Sequence, residues 1–110
     1  MNNVTKLTRV ERRSLAYHRA VAEALLERPE ETIQRARTHL RRLRALHPHA
    51  TALLDRWRSW LDLPPDILIS QFTDVSELAQ NMRQVSPFAG VLSAEQRRMI
   101  LHTLQQDEAA

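Results

Sequence analysis

Apolar residues recur at spacings of three and four along most of the chain, which is the pattern of helices that bury one face. The pattern predicts six helices: Thr8 to about Arg28, Pro29 to about His47, about His49 to Leu61, Asp66 to Phe72, about Asp74 to about Val85, and Ser93 to about Gln105. A single glycine and five prolines leave little turn chemistry for β-hairpins. We therefore expect an all-α fold, a compact single-domain bundle of about five to six helices over residues 1–110, with frayed ends at about 1–6 and 107–110.

Three predicted helix starts pair a Thr, Asp or Ser with a Glu or Gln three residues later, as in a capping box: Thr8 with Glu11, Asp74 with Glu77, and Ser93 with Gln96. The apolar stripes that follow these starts should face the core: Val10, Tyr17, Val21, Ala24 and Leu25; Leu78, Met82 and Val85; Ile100, Leu101 and Leu104. Trp57 and Trp60 share one helical face, where burial in the core is favoured over stacking on a nucleobase or a partner because tryptophan carries a large apolar area.

The second predicted helix has two different faces. Its apolar stripe contains Ile33, Ala36, Leu40 and Leu43, and arginines fill much of the remaining surface: Arg35, Arg37, Arg41, Arg42 and Arg44. Arg37, Arg41 and Arg44 follow a spacing of four and three, so they form one ridge. Such a ridge can bind an acidic partner or a row of phosphates, and its alternative is an ordinary solvated face.

Charge is distributed unevenly along the chain. Residues 1–60 contain 13 Lys and Arg against six Asp and Glu, whereas residues 61–110 contain three against seven. The chain has no cysteine, which excludes disulfides and thiolate metal sites. Its first residues have no apolar signal-peptide core, and no apolar run approaches the roughly 20 residues of a membrane span. We expect a cytoplasmic protein.

No pattern in the chain indicates catalysis, a metal or a cofactor, so we do not expect an enzyme. His47 and His49 flank Pro48, but a zinc site needs three or four ligands and no cysteine or nearby carboxylate completes one. Ser14 and His18 lie one helical turn apart without an oxyanion donor, and the absence of predicted strands leaves no nucleophile elbow.

The stretch from Ser86 to Leu92, SPFAGVL, is an irregular connector with an unusual apolar content. Pro87 restricts the backbone, and Gly90 permits a turn that other residues resist. Two interpretations remain open for Phe88: its side chain fills the bottom of the core, or the loop presents it to the pocket of a partner.

Four blocks of the chain resemble a group of small helical bacterial proteins that are encoded beside toxins and act as antitoxins or regulators. The blocks are L-T-R-x-E-R-x-S-L-A-x-H (Leu7 to His18), A-R-x-x-L-x-R-L-R-x-x-H-P (Ala36 to Pro48), W-x-x-W-L-x-L-P (Trp57 to Pro64) and D-x-S-E-x-x-x-x-M-R-Q-x-S-P-F-A-G-V-L-S (Asp74 to Ser93). The last block is the most distinctive.

The resemblance implies an antitoxin that neutralises its cognate toxin, a protein similar to nucleotidyltransferase-fold toxins, by direct contact. No catalytic residue carries over from it. Our own expectation for the partner surface is Asp74, Glu77, Ser86, Pro87, Phe88 and Gly90. The alternative is a transcriptional regulator that binds operator DNA through its arginine-rich helix, with Arg37, Arg41, Arg42 and Arg44 as contacts. A helical adaptor with an unrelated partner is a third hypothesis.

Overall fold

Six helices make up the part of the chain that the structure, a computed structural model, describes, residues 7–109. They are α1 (Arg9–Glu27), α2 (Pro29–Leu46), α3 (Thr51–Trp60), α4 (Pro65–Phe72), α5 (Glu77–Gln84) and α6 (Ala94–Ala109). The predicted all-α bundle of five to six helices is confirmed. The predicted fraying of residues 1–6 lies outside the described residues.

The end of α6 differs from the prediction. The helix continues to Ala109, beyond its predicted end at about Gln105. The carboxylate of Glu108 lies 3.3 Å from the guanidinium of Arg12 and 3.6 Å from that of Arg9, and these ion pairs hold the last turn against the start of α1.

Two of the three predicted capping boxes are confirmed. The Thr8 hydroxyl accepts from the Glu11 amide at 3.1 Å, and the Glu11 carboxylate accepts from the Thr8 amide at 2.8 Å. The same reciprocal bonds join Ser93 and Gln96, at 3.1 and 2.8 Å. Each pair satisfies two backbone donors at a helix start.

The start of α5 corrects the third capping prediction. Ser76 is the N-cap, and its hydroxyl accepts from the Ala79 amide at 3.2 Å. Asp74 lies two residues earlier, where its carboxylate accepts from the Ser76 amide at 3.2 Å. The nearer Ser76 has the extended backbone that a cap requires, so Glu77 opens the helix instead of completing a capping box.

Helix α1 is central to the packing, because α2, α4, α5 and α6 all contact it, while α3 packs on α2 and α5. The largest fully buried side chains form the core: Trp57, Phe72, Phe88, Leu25, Leu54, Leu68, Met82, Val21 and Pro87. Trp57 and Trp60 are both buried, with ring centroids 5.1 Å apart, which confirms their assignment to the core. The Trp57 indole N–H donates to the carbonyl of Met82 at 2.7 Å and so ties α3 to α5.

Three side chains that were predicted to face inward are exposed instead: Val10 by 73%, Leu78 by 41% and Leu101 by 37%. Val10 lies in the first turn of α1. Helix α5 buries the face that contains Ala79, Met82 and Arg83, which turns Leu78 outward. On α6, Ile100 and Leu104 are half-buried, and Leu101 lies at the edge of the contact with α1.

Candidate partner-binding surface

Phe88, the residue that was expected to anchor a partner, is fully buried. Its ring centroid lies 5.1 Å from that of Phe72, 5.5 Å from that of Trp57 and 6.3 Å from that of His18. The interpretation in which the loop presents Phe88 to a partner is therefore corrected: the side chain fills the core. Pro87 is buried beside it and is equally inaccessible.

Side chains of α1 fasten the loop in this position. The Tyr17 hydroxyl donates to the carbonyl of Phe88 at 2.8 Å. His18 Nδ1 lies 2.7 Å from the carbonyl of Ser14, and its Nε2 lies 2.7 Å from the Ser86 hydroxyl. A carbonyl only accepts, so Nδ1 carries the proton and Nε2 accepts from Ser86. The Ser86 oxygen in turn accepts from the Phe88 amide at 3.2 Å.

The environment of His18 keeps its ring neutral. Burial lowers the pKa of His18 from 6.5 to about 4; the carbonyl of Ser14 opposes this shift, and the nearby Arg83 guanidinium adds to it. Although Ser86 and His18 have the hydrogen bond of a nucleophile and its base, the histidine is only 3% exposed. The pair therefore positions the loop. In the sequence, the burial of His18 is indicated only by its spacing: it lies three residues before Val21 and seven before Leu25, on the same face of α1.

The outward side of the loop carries almost no side chain. Ala89 and Gly90 are exposed, and Gly90 has a φ of +83°, the left-handed region that favours glycine. A Cβ placed on Gly90 would meet no atom within 4 Å, so the space over its backbone is open. A partner's main chain can approach closely at this point.

The exposed part of the loop faces α2 across a groove of about 330 Å³. We call it the α2–loop groove, and its lining residues are Gln34, Arg35, Thr38, His39, Arg42, Ala89 and Gly90. Arg35, His39 and Arg42 follow a spacing of four and three, so they form a stripe along one flank of α2. Gly90 and Arg42 were expected to belong to separate surfaces, and the fold brings them to one groove.

The opposite flank of α2 contains the predicted ridge, and most of its charge is already paired. Arg37 donates to the carboxylate of Asp62 at 2.6 Å, and Arg44 donates to that of Asp55 at 2.6 Å. Both bonds tie α2 to α3 or to the turn that follows it. Two of the three arginines of the predicted ridge, Arg37–Arg41–Arg44, thus have an aspartate of the same chain beside them, which reduces the positive charge that the ridge offers to phosphates. Arg41 remains exposed, 3.3 Å from the Thr38 hydroxyl.

Unlike Arg37 and Arg44, the arginines of the α2–loop groove form no ion pair with a residue outside α2 in the described part of the chain. Arg42 is exposed and forms none of the ion pairs found within residues 7–109. Arg35 lies 3.7 Å from Glu31 one turn earlier, an exposed pair that contributes little. His39 is half-buried between them. The groove therefore offers two guanidinium groups and an imidazole beside a bare stretch of backbone.

The acidic residues expected at the partner surface, Asp74 and Glu77, are exposed but do not line this groove. They lie at the start of α5, whereas Gly90 follows its end. Hydrogen bonds from the Ser76 side chain and backbone lower the pKa of the Asp74 carboxyl. Of the residues expected at the partner surface, Asp74 and Glu77 thus lie at one end of α5 and Gly90 lies beyond its other end.

Arg83 holds the segment between α4 and α5, a role that sequence patterns did not reveal. Its side chain is buried, and Nη1 donates to the carbonyls of Phe72 at 2.9 Å and Asp74 at 2.6 Å. Its Nη2 is buried without a hydrogen-bond partner. Burial lowers the pKa of Arg83, and the Asp74 carboxylate opposes this shift. Arg83 comes directly after Met82 and lies on the buried face of α5, where an arginine is unexpected.

Two further features of the described residues bear on the kind of site. Within residues 7–109, no three His, Asp or Glu side chains converge as metal ligands, and His47 and His49 are exposed. None of the helices in this part of the chain is long and apolar enough to span a membrane.

Comparison of the chain with protein-family models, with curated proteins and with solved structures gives no match. The functional interpretation therefore depends on the surface just described and on the four sequence blocks.

Proposed function

We propose that this chain is an antitoxin, a protein that binds a cognate toxin directly and neutralises it by covering a functional surface. The observation that carries the proposal is the meeting of two sequence blocks at the α2–loop groove. His39 and Arg42 belong to the block from Ala36 to Pro48, and Ala89 and Gly90 belong to the block from Asp74 to Ser93. The two blocks are far apart in the chain but line one exposed groove, as expected if both contribute to a single binding surface.

The rigidity of the loop supports the same function. Buried Phe88 and the hydrogen bonds from Tyr17, His18 and Ser86 hold the backbone of the loop before any partner arrives. A surface that is already ordered loses little conformational entropy on binding, which favours a tight complex. The proposal implies a cytoplasmic complex with the product of an adjacent gene.

The alternative function, a regulator that binds operator DNA, has weaker support. It depended on the ridge of Arg37, Arg41 and Arg44, and two of these guanidinium groups are paired with aspartates. Arg41 and Arg42 remain exposed. Binding through them would weaken steeply with salt, because each phosphate contact releases counterions.

The decisive experiment is co-expression of the tagged chain with the product of its neighbouring open reading frame. We expect that product alone to arrest growth, and we expect the chain to restore growth and to co-purify with it in a fixed ratio. The complex should form at roughly 0.15 M salt, where screening reaches about 8 Å. Absence of the complex, with nucleic acid recovered only at low salt, would reject the antitoxin proposal in favour of the regulator.

A further inference from the structure

The two flanks of α2 differ in how their arginines are matched. On one flank, Arg37 and Arg44 each donate at 2.6 Å to an aspartate of the same chain. On the other, Arg42 has no such carboxylate within residues 7–109, and the weak pair of Arg35 with Glu31 stays within the helix. Both flanks thus carry guanidinium groups, but on the second flank no carboxylate from outside α2 pairs with them within residues 7–109.

We propose that the α2–loop groove binds an acidic segment of a partner protein through its Asp or Glu side chains. The proposal rests on the proposed function only for the identity of that partner, the toxin. Guanidinium groups bind carboxylates through paired, charge-assisted hydrogen bonds, which suits Arg35 and Arg42. Thr38 and Gln34 add neutral hydrogen-bonding groups along the same wall. The opposite wall, Ala89 and Gly90, leaves room for the main chain of the bound segment.

The distribution of paired and unpaired arginines on α2 favours a peptide over a nucleic acid. A volume of about 330 Å³ holds a few side chains, near the lower end of the ~300–1,000 Å³ typical of ligand pockets. A nucleic-acid backbone would instead use a row of unpaired cations along an exposed ridge. In the row that α2 offers for this purpose, two of the three arginines are paired with Asp55 and Asp62.

Gly90 provides a direct reporter of occupancy. It is the only glycine in the chain, so its amide signal is readily recognised in a ¹⁵N-correlated spectrum. We would titrate the labelled full chain with a short oligoglutamate peptide and with an oligoglutamine peptide of equal length. The expected result is a shift of the amides of Gly90, Ala89 and Arg42 with oligoglutamate and none with oligoglutamine. Shifts spread evenly over the arginines of α2 and α3 would overturn the proposal.

A charge reversal tests the arginine that is left unpaired. Arg42→Glu should weaken oligoglutamate binding by about tenfold or more, since it turns attraction into repulsion at one end of the stripe. The matched control is Arg58→Glu: Arg58 is exposed on α3, away from the groove, and the net-charge change is identical. Equal weakening by both variants would show a general charge effect and would contradict a specific groove.

A second pair of variants tests the opposite wall without removing an arginine. Ala89→Glu places a carboxylate of the chain itself in the groove, where it should compete with the partner and abolish the Gly90 shift on titration. Ala52→Glu is the control, because Ala52 is exposed on α3 and outside the groove. Undiminished peptide binding by Ala89→Glu, with its helical spectrum unchanged, would overturn the proposal.

The outcomes separate this inference from the antitoxin proposal. A toxin complex that is unaffected by Arg42→Glu and Ala89→Glu rejects the groove as its acidic-segment site and leaves the antitoxin function standing. Peptide binding at the groove without any toxin complex supports the groove and rejects the antitoxin. If a short single-stranded oligonucleotide shifts the Gly90 amide and oligoglutamate does not, the acidic-peptide assignment is rejected.

Discussion

His18 Nε2 lies 2.7 Å from the Oγ atom of Ser86, a hydrogen bond that joins the middle of α1 to the start of the loop after α5. While the imidazole is neutral, Nδ1 donates to the carbonyl of Ser14 and Nε2 accepts from the Ser86 hydroxyl; protonation would reverse the second bond and place a charge in the core. The protonation state of one buried ring is thus coupled to the position of the loop that borders the α2–loop groove.

Acidification should therefore destabilise the folded chain. The pKa of His18 is about 4 when folded and near 6.5 when unfolded, so the unfolded state binds the proton more tightly. This contribution is fully present above pH 6.5 and is lost as the pH falls to about 4, with a total of about 3 kcal/mol. The measurement is the urea midpoint between pH 4 and 7. His18→Gln should flatten the profile and His47→Gln, at an exposed site, should not; identical profiles for His18→Gln and wild type would contradict the assignment.

Truncation of Phe88 should act on stability before it acts on binding. Phe88→Ala leaves a cavity among Trp57, Phe72 and His18, and we expect a loss of about 3–5 kcal/mol in the free energy of unfolding. Leu46→Ala removes an apolar side chain that is 70% exposed and should change the urea midpoint little. A Phe88→Ala variant with wild-type stability and a lost complex would restore Phe88 as a partner anchor.

Replacement of Arg83 even by lysine should lower the stability of the fold. A lysine retains the charge, but its side chain is shorter than that of Arg83, whose Nη1 atom alone donates to the carbonyls of both Phe72 and Asp74. Arg83→Lys should cost about 1–3 kcal/mol, since a buried acceptor loses its donor. Arg58→Lys, on the surface of α3, serves as the matched control in chemical denaturation. Equal stability of the two variants would show that these carbonyls do not need Arg83.

The bond between Arg44 and Asp55 should be measurable as a coupling between α2 and α3. Both side chains are partly exposed, 34% and 58%, so a double-mutant cycle with Ala should give roughly 0.2–1 kcal/mol, decreasing with salt. The exchanged variant, Arg44→Asp with Asp55→Arg, should recover most of the stability that either single reversal loses. Failure of the exchange, with additive losses, would indicate that the pair contributes nothing to stability.

Local signals in the sequence determined the helices. These signals are the spacing of apolar residues, the prolines at the starts of α2 and α4, and the capping boxes at Thr8 and Ser93. Each acts within a few residues, so it can be recognised from the sequence without knowledge of the fold. The start of α5 was misassigned for the same reason. Asp74 and Ser76 are both good caps, and only the backbone conformation distinguishes them.

Residue spacing and composition predicted an all-α chain with an arginine-rich helix and one irregular loop of apolar residues. Tertiary structure alone decided which arginines meet an aspartate, because Asp55 and Asp62 reach Arg44 and Arg37 only after α3 folds back on α2. It also decided that Phe88 is core and that Gly90 faces Arg42, residues far apart in the chain. Periodicity reports which face of an element is apolar, but the neighbour across that face depends on how the helices pack.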